Sequence, residues 1–159
     1  MIDIALADYR DPLHAAALVS LLDLYARDPA GGGTPLPPSV MVGLPQALAA
    51  RPQAFSVLAF DGAQPVGLVN CIEGFSTFAC RPLVNVHDAV VVASHRGQRV
   101  LQRMFDQVEA EARRRGACKL TLEVLSGNAA ALKAYAREGF GGYQLDPAFG
   151  SAIFLQKKL

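Results

Sequence analysis

The stretch VVVASHRGQRVLQRMF, Val90 through Phe105, joins a β-branched apolar run to an amphipathic one through a short basic turn. If the first run is a strand and the second a helix, the first four helical amides lack intrahelical partners and carry the positive end of the helix dipole. A phosphate can dock on them. Gly97 lets a ligand approach the backbone closely. Arg96 and Arg99 put two positive charges where the macrodipole favours acids by up to about 1 kcal/mol each. A docked anion relieves that placement, and two solvated surface arginines account for it equally well.

A second stretch, SGNAAALKAYAREGF from Ser126 to Phe140, follows an apolar run. Ser126 or Asn128 can cap a helix there, and Tyr135 shares one side of that helix with Asn128. Ligands of open α/β sheets lie beyond the carboxyl ends of parallel strands, and both junctions fall at such an edge. The plainer readings are a half-buried tyrosine with a bonded hydroxyl and an asparagine that only caps.

Asp88 is the third candidate. It sits among Val84, Val86, Val90 and Val91, where an acid needs a partner or a task, and it could act as a general base. A structural carboxylate bonded to nearby backbone or to His87 is the alternative. His87 is expected to point to the opposite face. Glu73 and Glu123 are weaker choices.

These residues need elements to hold them. Ile2, Ile4 and Leu6 alternate with smaller or polar neighbours as a strand does, and Asp11-Pro12 opens a helix over 13–26. Residues 28–39, DPAGGGTPLPPS, cannot continue it and form a loop whose composition suggests a mobile cover, a solvated connection without contacts being the alternative. A helix over 40–50 follows. Strands at 55–60 and 65–72 are joined by Asp61-Gly62, a strong hairpin signal. After a turn at 74–82, residues 83–92 read as a central strand covered on both faces. A helix over 97–115 carries Val100, Leu101, Met104, Phe105, Val108 and Ala112 on one side and ends at Gly116. Strand 118–124 completes a βαβ unit with parallel strands. A helix over 128–137 and closing strands at 143–145 and 152–156 finish the chain. The order predicts an α/β fold, a single mixed, mostly antiparallel sheet flanked by helices, with residues 1–159 as one domain.

Composition narrows the function. Of 159 residues 52% are hydrophobic and 18% charged, enough to bury a core and far from the composition of a disordered chain. A formal charge of +1 lacks the basic excess of nucleic-acid binders. No apolar run approaches the roughly 20 residues of a membrane helix, and Asp3, Asp8 and Arg10 interrupt any export signal, so a cytoplasmic location is expected. Cys71, Cys80 and Cys118 show no CxxC spacing and are expected to be buried thiols. His14, His87 and His95 are not spaced as ligands, so no metal is expected. Arg113, Arg114 and Arg115 suit a helix C-terminus.

The residues resemble the GNAT superfamily of N-acetyltransferases, whose phosphate loop is commonly written RGxGxG. The sequence there is Arg96-Gly97-Gln98-Arg99-Val100-Leu101, and Asn128, Ala131, Tyr135 and Gly139-Phe140 match downstream. Arg99 and Leu101 stand where the family has glycine or alanine. The resemblance implies that acetyl-CoA is the cosubstrate, held by Val90, Val91 and Val92 at the strand end, by Arg96 through Leu101, and by Asn128. It implies direct attack by the primary amine of a small molecule or protein on the thioester. A strand amide near Val91 then polarises the carbonyl, and Tyr135 protonates the leaving thiolate. At pH 7 only about one alkylamine in 2,500 is neutral, a deficit of about 4.6 kcal/mol, so a base such as Asp88 is needed. Acceptor contacts are implied for the 28–39 loop, and a homodimer is compatible. The alternative expectation is a non-catalytic sensor that binds CoA or another phosphorylated ligand through a degenerate loop.

Overall fold

The computed structural model describes residues 1–143 and 145–159, in two compact units, Met1–Leu122 and Glu123–Leu159. In the first, strands β1 (Ile2–Leu6), β2 (Ala54–Asp61), β3 (Gln64–Ser76), β4 (Arg81–Val91) and β5 (Leu120–Leu122) form one sheet in chain order. The first four run antiparallel and β5 lies parallel to β4. Helices α1 (Pro12–Arg27), α2 (Pro38–Ala49) and α3 (Val100–Arg114) complete the unit.

Asp11 accepts from Leu13 N–H at 2.8 Å and Pro12 occupies the first turn, as its sequence predicts. Ala17, Leu18 and Leu21 of α1 then bury against Leu58, Leu68 and Val90 of the sheet. On the opposite face Met104 of α3 comes so close to β3 that a Cβ at Gly67 would lie 2.9 Å from its Sδ. Val100, Phe105 and Val108 are buried along the same helix. That stripe is the one its periodicity gave.

Several boundaries differ. The β3–β4 ladder runs out to Ser76 and Arg81, so the predicted 74–82 turn shrinks to residues 77–80. Cys80 there has φ of +50° and is exposed, which corrects the expectation of three buried thiols; Cys71 is buried and Cys118 half-buried. The α3 helix begins at Val100 rather than Gly97, because Gly97 (φ +77°) and Arg99 (φ +60°) take left-handed backbone that no α-helix continues through. Strand β5 keeps only three of the seven residues expected.

In the second unit the helix expected over 128–137 is α4 (Ala129–Arg137), with Asn128 as its cap. Residues 152–156 are not a strand. Asp146-Pro147 opens a 3₁₀ turn instead, with Asp146 Oδ1 accepting from Ala148 N–H, and Gly150 turns the chain at φ +77°. A short apolar run becomes a strand only where a partner supplies the ladder. The predicted strand at 143–145 includes Gln144, which lies outside the described residues.

Candidate active site

The turn between β4 and α3 is shaped by its backbone. A 3₁₀ turn at Ala93–His95 leaves the strand, and the left-handed Gly97 and Arg99 then aim the chain into α3. The first intrahelical bond runs from Arg103 N–H to Arg99 O at 3.1 Å. No side chain caps the amides before it, and the first turn holds no acid. Polar side chains of the turn fold back: Arg96 Nε donates to Val91 O at 3.1 Å and Gln98 Nε2 to Ser94 O at 2.9 Å. Arg96, Gly97, Gln98 and Arg99 are exposed, Leu101 is half-buried, and the Val100 side chain is 2% exposed in the core. The site can therefore use Val100 only through its backbone, and the same holds for Val90, packed beneath α1.

Among the described residues, strand β4 has no ladder partner on one edge beside this turn. Its pairing with β5 covers only Val84 to Val86. Val92 N–H donates to Val66 O on the β3 side, so by alternation Val91 presents its N–H on the other edge, which β5 does not reach. Its carbonyl already holds Arg96 there.

Between the paired and open parts lies a β-bulge. Asn70 pairs with Asp88 and Cys71 with Val86, so His87 is the extra residue. The bulge moves Asp88 off the face of Val84 and Val86 and onto that of Asn70 and Val90. Its partner is neither backbone nor His87: Asn70 Nδ2 donates to Asp88 Oδ2 at 3.0 Å. Ser56 Oγ donates to Asn70 Oδ1 at 2.6 Å, and Tyr9 OH lies 2.9 Å from Ser56 Oγ. Sequence reasoning missed Tyr9, Ser56 and Asn70, although two polar residues inside otherwise apolar strands were a usable signal. Burial raises the Tyr25 phenol, helped by the carboxylates of Asp88 and Asp28. Burial also raises that of Tyr9, against its bond to Ser56. His87 is exposed, its ring bonded to Asn85.

Glu73 pairs with Arg115 at 3.0 Å, and Glu123 follows the last residue of β5. Arg115 also bonds Glu111 and Pro52 O and covers the Phe55 ring, while Arg113 and Arg114 pair with Glu109 and Glu111. The loop expected to be a mobile cover is tied to α1. Leu36 N–H donates to Asp23 Oδ1 at 2.9 Å and Thr34 N–H to Ala26 O at 3.1 Å, and a Cβ at Gly31 would meet Tyr25 O at 2.0 Å. Among the described residues no group of His, Cys, Asp or Glu could hold a metal ion, and no helix is long and apolar enough to cross a membrane.

In the second unit Asn128 Oδ1 accepts from Ala131 N–H at 3.1 Å, so it caps α4. Tyr135 is half-buried, edge-on to the Phe140 ring at 6.1 Å between centroids.

A single five-stranded mixed sheet flanked by helices is the arrangement of the GNAT acetyltransferases. The sequence matches the Acetyltransferase (GNAT) family over residues 18–140, and the chain belongs to that family. None of the curated proteins is significantly similar in sequence. Among solved structures it is similar to a ribosomal-protein-alanine N-acetyltransferase from Brucella melitensis biovar Abortus 2308, at 20% identity and TM-score 0.76 over 99% of this chain and 100% of that one. It is also similar to AAC(6')-Iy with the bisubstrate analogue CoA-S-monomethyl-acetylneamine, at 15% identity and TM-score 0.79 over 100% and 99%. A third is a transcriptional regulator from Bacillus halodurans C-125, at 17% and 0.80 over the whole of both chains. At these identities the likeness is one of fold.

Proposed function

We propose that this chain, working as one domain, transfers acetyl from acetyl-CoA to a primary amine of a small molecule or protein. The observation that carries the reading is the acid-free, uncapped start of α3 beside the open Val91 edge of β4. Exposed amides and Arg96 suit a diphosphate there, and the Val91 N–H suits a carbonyl oxygen. Acetyl-CoA supplies a thioester whose acyl carbon is attacked by the amine nitrogen, with CoA thiolate leaving. Val90 and Val92 frame the Val91 amide, Arg96 through Leu101 bind the diphosphate, and Asn128 adds a donor. Asp88 takes the proton that the amine must lose. Tyr135 returns a proton to the departing sulfur, a role resting on its match to the family motif. Its phenol, ordinarily near pKa 10, is close enough to a thiol near 8.5 for the transfer.

A sensor that binds the cofactor without turnover is the second reading, favoured by Arg99 and Leu101 at positions where the family has small residues. Thiol release from acetyl-CoA with a panel of alkylamines, amino sugars and peptides separates the two. Turnover that falls at least about tenfold in Tyr135→Phe supports the enzyme, the loss expected of a general acid. Stabilisation by CoA with no release on any amine supports the sensor.

A further inference from the structure

Three polar side chains with no part in the scheme above converge on Asp88. Ser56 is 1% exposed and Asn70 8%, so neither can turn to water. Asn70 donates through Nδ2 to Asp88 Oδ2, which leaves its Oδ1 as acceptor for Ser56. With its hydrogen committed to Asn70, Ser56 Oγ can only accept from Tyr9, whose hydroxyl becomes the donor. The direction of each bond is thus fixed by the next, and the chain ends on one oxygen of one carboxylate. The bulge at His87 completes the arrangement, because without the extra residue Asp88 would face away from Asn70.

Resting on the proposed transfer, we infer that Tyr9, Ser56 and Asn70 are positioning residues that hold Asp88 Oδ2, so that Oδ1 receives the proton of the acceptor amine. The ammonium loses one proton to Oδ1 and its nitrogen lone pair attacks the acyl carbon; the C–S bond then breaks, the departing thiolate takes a proton from Tyr135, the second proton of the nitrogen restores that phenol, and the neutral carboxyl returns its proton to water after the product leaves. Asn70 cannot relay this proton, since its amide only donates toward Asp88. The chain therefore orients the base and carries no charge itself. The other titratable groups near Asp88 are the Tyr25 phenol from α1, the Cys71 thiol from β3 and the adjacent His87 on β4. Cys71, pushed up to about 12 by burial, and Tyr25, raised by burial, stay protonated at neutral pH and do not compete for the proton.

Steady-state kinetics of the full chain with acetyl-CoA and its best amine from the panel test this. Ser56→Ala and Asn70→Asp are nearly isosteric, and Tyr9→Phe is a milder change at a half-buried site. We expect kcat to fall about tenfold in Ser56→Ala, as for one lost bond in a charge-ended chain, and further in Asn70→Asp, which sets two acceptors face to face. Tyr9→Phe should lose about threefold, and KM for acetyl-CoA should hold within about twofold in all three. In an Asp88→Asn background, Ser56→Ala should cost nothing more, because it acts only through that carboxylate. The inference is overturned if Ser56→Ala and Tyr9→Phe keep the kcat of the wild type, or if their losses multiply with that of Asp88→Asn. A wild-type protein that turns over no amine removes the proposed transfer itself, a result distinct from either.

Discussion

Arg96 reaches back five residues to the strand it leaves, its Nε donating to the Val91 carbonyl at 3.1 Å. The Val91 carbonyl is thereby occupied, and the N–H of the same residue stays on the open edge. Because Arg96 is exposed, the latch adds little to stability; on the proposed function its remaining guanidinium donors serve the diphosphate at the head of α3. Arg96→Ala is expected to leave Tm within about 2 °C and to weaken CoA binding about tenfold, as for one lost charge-assisted contact. Thermal melts and calorimetry on one preparation read both.

The paired left-handed residues predict opposite responses. Gly97→Ala puts a Cβ on φ +77°, where the space is open but the backbone is strained, and should lose about 1–2 kcal/mol. Arg99→Gly relieves φ +60° and should gain up to about 1 kcal/mol, or about 2–4 °C in Tm. Denaturant midpoints check the signs.

Gly67 admits α3 to the sheet. In Gly67→Ala the new methyl would meet Met104 Sδ at 2.9 Å and Ala59 Cβ at 3.2 Å. Met104 is fully buried and has little room to swing, so a loss of about 1–3 kcal/mol is expected. Part of it should return in Gly67→Ala with Met104→Val, measured by urea unfolding.

Glu111 is held below the ordinary carboxylate range by the Arg114 guanidinium first and Arg115 next, against the opposing effect of its burial. A carboxylate lowered on folding stabilises above its unfolded pKa of about 4.3, and that stability is lost as pH falls through the folded value. Glu111→Gln should therefore be less stable than wild type at pH 7, and the gap should close on acidification below about pH 4. Melting curves across that range show it.

Thiol labelling should be ordered by exposure. Cys80 is exposed on the β3–β4 turn, while burial pushes the Cys71 thiol up to about 12. Under native conditions a maleimide is expected to label Cys80 first and Cys71 only on unfolding, read by mass spectrometry.

Much of the fold was legible because local chemistry and tertiary structure agree. Asp11-Pro12 caps α1, Asp61-Gly62 turns the β2–β3 hairpin, and the apolar stripe of α3 is the face it buries. Disagreement came where tertiary pairing decides. Nothing local marks His87 as a bulge, since an extra residue exists only relative to the partner strand. Arg99 in left-handed backbone runs against residue preference, so the turn looked like helix. The apolar run in 152–156 reads like a strand but belongs to none. Asp88 stood out as an acid among valines, yet its partner Asn70 could be identified only once β3 and β4 were in register.

Calorimetric titration of CoA into the intact protein tests the anion binding proposed for the β4–α3 turn most directly. A saturable one-to-one isotherm with Kd below about 1 mM, weakened in Arg96→Ala, is the predicted result. An absence of heat at millimolar CoA, with melting unchanged by the ligand, would contradict it.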